Sequence, residues 1–277
     1  MSKEKIVMID DAEIHYKVIG HGIPIIFLHG WGINHLIWKN QFEKIGKINL
    51  RKFQRIYLDL PGMGTSITNH RIHNSNDMQN IIIKFITSII GSQKFILAGE
   101  SYGGYLARGL LRSIDDQIIG LLLLCPLIIP GYRTGSHSEH ITLEIDQVFI
   151  KSLPREKITG YQELSVVQTK KTYHDYFKDI NTTISKGNES FLKHELDGSF
   201  TEDINQNPFI FKKPMTVLIG RQDTEVGFKD QYNIFKDFPR ASIFILDKAG
   251  HNLQFEQKRI FRTAVIELLK RVLKEES

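Results

Sequence analysis

Residues 94–104 read Lys-Phe-Ile-Leu-Ala-Gly-Glu-Ser-Tyr-Gly-Gly, an apolar stretch that runs directly into Gly99-x-Ser101-x-Gly103. This order predicts a buried strand, a tight turn at Ser101 and then a helix. Such a turn holds its serine in a strained backbone conformation, and neighbours without side chains relieve the crowding. Gly99 and Gly103 stand where that geometry needs them. The stretch therefore predicts a nucleophile elbow, which lifts the Ser101 hydroxyl out of a sheet.

Outside this stretch the chain alternates between short apolar segments and helix-like segments, which favours an α/β fold with a mostly parallel sheet and helices on both faces. Residues 5–19 alternate around Asp10-Asp11 and predict an N-terminal hairpin at the sheet edge. Residues 77–90 predict a helix that Ser75 or Asn76 caps. Further buried strands are predicted at 25–28, 55–60, 118–125, 216–220 and 241–246.

Residues 127–207 interrupt this alternation. They contain helix-like stretches at 143–153 and 161–177, and the α/β rhythm resumes after them. We therefore predict one α/β core made of residues 1–126 and 208–277. Residues 127–207 are predicted to form a mainly helical cap over the carboxyl edge of the sheet.

Length and composition exclude several classes of protein. The 277 residues suffice for one large α/β domain, and no apolar run approaches the ~20 residues that span a bilayer. A single cysteine excludes an internal disulfide, so we expect a cytoplasmic protein without a membrane anchor. The net charge of +5 comes from scattered basic residues, and residues 126–213 are nearly neutral, with 11 Lys/Arg and 12 Asp/Glu. No basic patch interleaved with aromatic residues predicts nucleic-acid binding.

A serine hydroxyl needs a neighbouring base, and that base needs an acid to orient it. His251 lies in Ala-Gly-His-Asn after the last predicted strand, and Asp223 lies in Gly-Arg-Gln-Asp after the strand before it. The carboxyl ends of parallel strands share one edge of a sheet, so Ser101, Asp223 and His251 are predicted to meet there as a catalytic triad. Asp247 and Asp59 compete for the acid role, but Asp247 is too close to His251 along the chain, and Asp59 lies in the Pro-Gly loop, which it is expected to order.

Two backbone N–H groups are predicted to form an oxyanion hole. One belongs to Tyr102, the residue after the nucleophile, and the other to Trp31 in the loop His29-Gly30-Trp31-Gly32. Both N–H groups are expected to face the oxygen that becomes negative during attack on a carbonyl. Gly30, in the same loop, is a predicted site residue together with the elbow glycines Gly99 and Gly103.

The neighbouring polar and aromatic residues receive structural roles at this point. His29 is expected to hydrogen-bond loop backbone, Asp59 to order the Pro-Gly loop, and Cys125 to pack as a small hydrophobe. Five aromatic residues of the cap fit either an acyl pocket or the core of the cap itself, and the sequence favours neither. They are Phe149, Tyr161, Tyr173, Tyr176 and Phe177.

With these motifs in place, the chain resembles the capped members of the α/β-hydrolase superfamily over nearly its whole length. The motifs that carry the resemblance are His29-Gly30-Trp31, Asp59-x-Pro61-Gly62-x-Gly64-x-Ser66, Gly99-x-Ser101-x-Gly103-Gly104, Gly220-Arg221-x-Asp223 and Gly250-His251. The resemblance implies an eight-stranded, mostly parallel sheet with the cap inserted after the sixth strand. It also implies a reaction without a metal ion or an organic cofactor.

The expected function is hydrolysis of a small or medium, mainly apolar carboxylic ester through an acyl-enzyme. Serine stands where dehalogenases and epoxide hydrolases of this fold carry aspartate, which disfavours those reactions. Carbon–carbon bond hydrolysis and acyl transfer on the same triad stay open as alternatives. A ligand receptor that hydrolyses slowly or not at all is the alternative from another class. The partner is expected to be a small-molecule substrate, and the protein a monomer or a homodimer.

Overall fold

The computed structural model describes residues 4–46, 48, 50–68, 72–130, 139–181, 191–192, 204–205 and 209–276. In these ranges the strands are β1 Glu4–Ile9, β2 Ala12–Ile19, β3 Ile23–Leu28, β4 Phe53–Leu58, β5 Phe95–Glu100, β6 Ile118–Leu124, β7 Glu144–Ile145, β8 Val167–Gln168, β9 Met215–Gly220 and β10 Ala241–Leu246. The α-helices are α1 Leu36–Phe42, α2 Ser75–Ile90, α3 Tyr102–Ile114, α4 Gln147–Lys151, α5 Arg155–Leu164, α6 Lys170–Tyr176, α7 Phe228–Asn233, α8 Leu253–Glu256 and α9 Lys258–Glu275.

Eight strands form one sheet in the order β1-β2-β4-β3-β5-β6-β9-β10. β1 and β2 form the predicted N-terminal hairpin, β2 is antiparallel to β4, and every other neighbouring pair is parallel. The carboxyl ends of β3, β5, β6, β9 and β10 therefore lie at one edge. The loops that carry the predicted site residues follow these ends. The expected α/β fold with an eight-stranded, mostly parallel sheet is confirmed.

Helices cover both faces of this sheet because its central strands are apolar on both sides. Phe95 and Leu97 of β5 belong to the hydrophobic cluster that α2 and α3 complete. Ile96 and Ala98, which alternate with them, belong to the cluster that α1 and α9 complete. Side chains alternate between the two faces of a strand, so a continuous apolar strand stabilises two layers of helices at once.

The ends of several elements differ from the prediction. Helix α2 begins at Ser75 rather than at residue 77, because Asn74 is its cap and accepts hydrogen bonds from the amides of Asn76 and Asp77. None of the described helices is long and apolar enough to cross a membrane.

Where it is described, the segment between β6 and β9 contains the helices α4, α5 and α6 and the two short strands β7 and β8, and its helices are shorter than predicted. The stretch 161–177 is not one helix, since α5 ends at Leu164 and α6 begins at Lys170. Ser165-Val-Val between them has poor helix propensity, and Thr169 starts the next helix with a capping box. The stretch 143–153 likewise holds only β7 and α4. Part of 127–207 lies outside the described residues, and the division into core and cap stays a prediction.

Candidate active site

Ser101 occupies a tight turn between the end of β5 and the start of α3. Its backbone has φ 52° and ψ −117°, a region that residues with a side chain rarely adopt. Hydrogen bonds hold it there: its N–H donates to the carbonyl of Leu124 at 3.1 Å, and its carbonyl accepts from the N–H of Leu127 at 2.9 Å. Leu124 is the last residue of the neighbouring strand β6 and Leu127 lies in the loop after it, so this end of the sheet keeps the strained turn in place.

The three predicted glycines lie where backbone or buried atoms leave no room for a side chain. A Cβ on Gly99 would lie 2.4 Å from the carbonyl oxygen of Gly103, and a Cβ on Gly103 would lie 2.3 Å from that of Leu28. A Cβ on Gly30 would lie 2.5 Å from Oε2 of Glu100 and 3.1 Å from Cβ of Ser101. Strand, turn and helix therefore approach as closely as they do only because these positions are glycine.

His251 and Asp223 meet at the same edge of the sheet. His251 Nδ1 lies 3.0 Å from Asp223 Oδ2. The carboxylate can only accept, so Nδ1 carries the proton and Nε2 is the nitrogen with a free lone pair when the ring is neutral. The other oxygen, Oδ1, accepts from the amides of Glu225 at 2.9 Å and Val226 at 3.1 Å. Asp223 is completely buried and held by its own loop, so it fixes both the tautomer and the orientation of the ring.

The charges around His251 favour its protonated form. Burial alone lowers the pKa of His251, but the nearby carboxylates of Asp223 and Glu100 outweigh burial and raise it to about 9. Burial would raise the pKa of Asp223, yet the imidazole and the two loop amides hold it below its usual value. The pair therefore stabilises an imidazolium, the form that a general base takes after it accepts a proton.

The predicted oxyanion residues lie side by side at this edge. Trp31 is in the turn after β3, and Tyr102 is the first residue of α3. Their rings are in edge-to-face contact, with centroids 5.1 Å apart. Tyr102 is buried, and its hydroxyl lies 3.1 Å from the hydroxyl oxygen of Ser75. The assignment of their backbone N–H groups to an oxyanion hole stays a prediction.

His29 and Asp59 order the loops beneath the site, as expected. The N–H of Leu60 donates to Nε2 of His29, so the proton lies on Nδ1, which donates to the carbonyl of Gly30 at 2.8 Å. Burial lowers the pKa of His29 to about 4, which keeps the ring neutral. Asp59 accepts from the amide and Nδ1 of His35 and from the amide and hydroxyl of Thr65. Neither residue has a proton to exchange near neutral pH.

Cys125 lies closer to the predicted triad than its expected packing role suggests. Its sulfur and ligand atoms of Asp223 and His251 all lie within 4.8 Å of one another, the one group of three potential metal ligands among the described residues. Burial raises the pKa of the Cys125 thiol well above its usual value, and a protonated thiol is a poor ligand. The Asp223–His251 hydrogen bond also occupies atoms that a metal would need. The arrangement therefore fits a metal poorly.

The aromatic residues of the predicted cap pack on one another. Tyr173 is in ring contact with Phe149, Tyr161 and Phe177, and Tyr161 also contacts Tyr176. Tyr161 is buried, and its hydroxyl lies 2.6 Å from that of Thr172. Of the two interpretations that the sequence left open, the structure favours a core of the cap for Tyr161.

Two acidic residues at the site were missed by the sequence analysis. Glu100 ends the apolar strand β5 next to Ser101, and its Oε1 lies 3.7 Å from Nε2 of His251. Glu256 accepts from the amide of Gly250 and from the amides of Val166 and Val167, so it joins the His251 loop to β8. The feature of the sequence that could have identified Glu100 is its charge, because it is a charged residue at the end of a strand that is otherwise fully apolar.

Residues 25–263 match the Alpha/beta hydrolase family, and the chain belongs to that family. It is similar in structure to an alpha/beta superfamily hydrolase from Oenococcus oeni PSU-1, with a TM-score of 0.89 and 29% identity over 98% of this chain and 99% of that one. It is 24% identical to the pimeloyl-[acyl-carrier protein] methyl ester esterase of Legionella pneumophila (strain Corby), over 93% of this chain and 99% of the relative. It is 23% identical to the 2-hydroxy-6-oxononadienedioate/2-hydroxy-6-oxononatrienedioate hydrolase of Burkholderia vietnamiensis, over 94% and 92%.

Proposed function

We propose that the protein is a serine hydrolase that cleaves a small or medium, mainly apolar carboxylic ester through an acyl-enzyme. The observation that carries this proposal is the 3.0 Å hydrogen bond between His251 and Asp223, at the sheet edge where the strained turn presents Ser101. The pair supplies a base with a fixed tautomer, and the turn supplies a nucleophile. The family and the similarity to a methyl ester esterase support the same reaction class.

In the proposed mechanism Ser101 Oγ attacks the ester carbonyl while His251 Nε2 takes its proton. The new oxyanion accepts hydrogen bonds from the backbone N–H groups of Trp31 and Tyr102. His251 then gives the proton to the leaving alcohol, and the acyl group stays on Ser101. A water molecule that His251 deprotonates attacks the acyl-enzyme and releases the acid. These residues complete the reaction without a metal ion or an organic cofactor.

We propose that the predicted cap, residues 127–207, limits the size of the substrate that can bind. Residues 126–213, which include the predicted cap, contain 12 acidic and 11 basic residues, and this near balance favours an uncharged substrate. We further propose a cytoplasmic location, which the single cysteine supports, and a partner that is a small molecule.

The test is hydrolysis of p-nitrophenyl esters of increasing acyl length by the wild type and by Ser101→Ala. We expect release of p-nitrophenol that falls by about 10³-fold or more in the variant. The chain length that gives the highest kcat/KM measures the depth of the acyl pocket. A fluorophosphonate probe should label the wild type and not the variant. Ester cleavage at the same rate by Ser101→Ala would rule out the assigned nucleophile, and a folded wild type that neither turns over nor reacts with the probe would favour the receptor.

Carbon–carbon bond hydrolysis is the second candidate, and the similarity to the hydroxy-oxo-dienedioate hydrolase favours it. It uses the same serine and histidine on a vinylogous diketone instead of an ester. Product analysis with a 2-hydroxy-6-oxo-dienoate distinguishes the two, because this reaction yields two fragments by cleavage of a carbon–carbon bond.

A further inference from the structure

Glu100 is a buried carboxylate that the mechanism above does not use. Its side chain is enclosed by the Gly30 loop and by His251, and the residue is 2% exposed. The N–H of Gly30 lowers the pKa of the carboxyl, but no atom of the described residues forms a hydrogen bond of good geometry with Oε2. Burial is the stronger effect and raises the pKa of Glu100 to about 7.

Such a residue is unfavourable for folding alone. A buried carboxylate with an unpartnered oxygen loses its hydration without full compensation, and an apolar residue at the end of β5 would avoid this cost. The contact that Glu100 does make is with the reactive nitrogen of His251, Nε2, at 3.7 Å. Its place in the turn, directly before Ser101, brings its charge to the reacting groups.

We propose that Glu100 is a positioning residue for the reaction, whose carboxylate stabilises the imidazolium of His251 from the Nε2 side as Asp223 does from the Nδ1 side. This inference rests on the proposed function, because it assigns Glu100 a role in the same serine hydrolase site. It adds a second acid to the predicted triad.

The two carboxylates act at different ranges. Asp223 Oδ2 lies 3.0 Å from Nδ1 and accepts a hydrogen bond from it. Glu100 Oε1 lies 3.7 Å from Nε2, beyond hydrogen-bond distance but close enough for a strong charge interaction in a buried site. Glu100 therefore favours the imidazolium without binding the Nε2 proton, which stays available for the leaving alcohol.

The other groups around His251 set the background for this effect. Asp223 and Glu225 face it from the loop after β9, and Cys125 faces it from the end of β6. The Cys125 thiol is neutral because burial raises its pKa, and Glu225 is exposed, so solvent screens its charge. Glu256, the other acid at the site, accepts a hydrogen bond from the amide of Gly250. Glu100 and Asp223 are thus the two buried carboxylates that act directly on the ring, and the group titrates as a unit.

The experiment is the pH profile of kcat/KM for the wild type, Glu100→Gln and the control Glu225→Gln. The imidazolium cannot take a proton from Ser101, so activity rises with pH through the pKa of His251. Glu100→Gln removes one anion, and we expect its profile to shift to lower pH by about one unit or more. At the high-pH plateau kcat should fall by about tenfold, since the imidazolium formed in the transition state has lost one partner. Glu225→Gln should move the profile little.

A second experiment measures the titration of His251 without turnover. The histidine C2–H resonance of His251, assigned by its loss in His251→Gln, should titrate at lower pH in Glu100→Gln than in the wild type. Equal titration curves and equal pH profiles in the folded variants would overturn the role of Glu100, even if Ser101 still reacts with a fluorophosphonate. Lack of reaction at Ser101 in the wild type would contradict the proposed function instead, and the titration would still decide whether Glu100 acts on His251.

Discussion

At the scale of single residues, the site combines strain with rigid support. A residue with a side chain at φ 52° and ψ −117° costs about 1–3 kcal/mol relative to ordinary backbone. Ser101 keeps this conformation because the last residue of β6 binds its N–H and the loop after β6 binds its carbonyl. In the proposed mechanism the serine is therefore positioned before any substrate arrives, and little further ordering is needed for its attack.

The role of Asp223 is tested by replacing its carboxylate with an amide. Asp223→Asn keeps the shape of the side chain, but an amide nitrogen facing His251 favours the wrong tautomer and no longer stabilises the imidazolium. We expect kcat for a p-nitrophenyl ester to fall by about 10⁴-fold. Asp247→Asn is the matched control, because Asp247 is exposed and accepts from Gln222 at the surface. A larger loss in Asp247→Asn than in Asp223→Asn would reverse the assignment of the acid.

The sequence predicts site residues that the backbone geometry requires better than site residues whose role depends on contacts with distant parts of the chain. Gly99 and Gly103 are recognisable because a strand-to-helix turn has no room for side chains there, whatever the rest of the molecule is. The positions of Asp223 and His251 follow from the ends of two strands. Glu100 could not be assigned in this way, since its burial is produced by Gly30 and His251, which lie 70 and 151 residues away in the chain.

At the scale of elements, the loops after β3 and β4 form one hydrogen-bonded unit. Asp59 is buried and accepts from His35 in the first loop and from Thr65 in the second. Burial raises the pKa of Asp59, but its bonds to His35 and the nearby His29 outweigh burial and hold it well below the usual value. The unit supports the turn at Trp31 through the hydrogen bonds of His29.

Asp59→Asn should destabilise the protein in a pH-dependent way. At pH 7 we expect the free energy of unfolding to fall by about 2–3 kcal/mol, because the amide replaces a charged acceptor with a group that accepts at one atom only. A lowered pKa in the folded state stabilises above the unfolded pKa of about 4, and this stability is lost as the pH falls through the folded pKa. The difference from the wild type should therefore shrink below pH 4. Urea unfolding followed by tryptophan fluorescence measures the free energy of unfolding of the variant and of the wild type at each pH.

The control for this change is Asp116→Asn, at an exposed position, for which a change within about 0.5 kcal/mol is expected. A pH-independent loss in Asp59→Asn would show that shape, and not charge, explains the effect.

The sequence predicts the presence of a helix or strand better than it predicts the residues at which that element begins and ends. The break between α5 and α6 depends on Thr169 as a helix cap, and a capping role competes with the apolar periodicity that predicted one long helix.

At the scale of the whole molecule, polar side chains attach the segment between β6 and β9 to the sheet layers. Asp179, buried just after α6, accepts from Asn40 at 2.6 Å and from Gln41 at 2.7 Å, both in α1. Asp175 of α6 pairs with Lys258 at the start of α9. These contacts join parts of the chain that are far apart in sequence, so local patterns contain no sign of them.

Asp179→Ala should loosen α6 without affecting the sheet. The change leaves the buried amide of Gln41 and the half-buried amide of Asn40 without their acceptor, which costs about 2–3 kcal/mol. We expect faster amide hydrogen exchange in Lys170–Tyr176 and unchanged exchange in β5 and β6. Thr159→Ala, at an exposed position of α5, serves as the control. Equal acceleration in the sheet and in α6 would mean that the segment and the sheet open together, contrary to a separate attachment.

The strand order β5-β6-β9-β10 makes the site a late product of folding. Ser101 follows β5 and His251 follows β10, so β6 and β9 must be paired between these strands before the two residues meet. Long loops between paired strands slow their association, since the entropy of closing them is lost before any contact forms. Helices and collapsed intermediates can therefore appear early in refolding while the serine is still inert. Under the proposed function, recovered hydrolysis reports that the last strand has joined the sheet, a stricter criterion of the native state than recovered secondary structure.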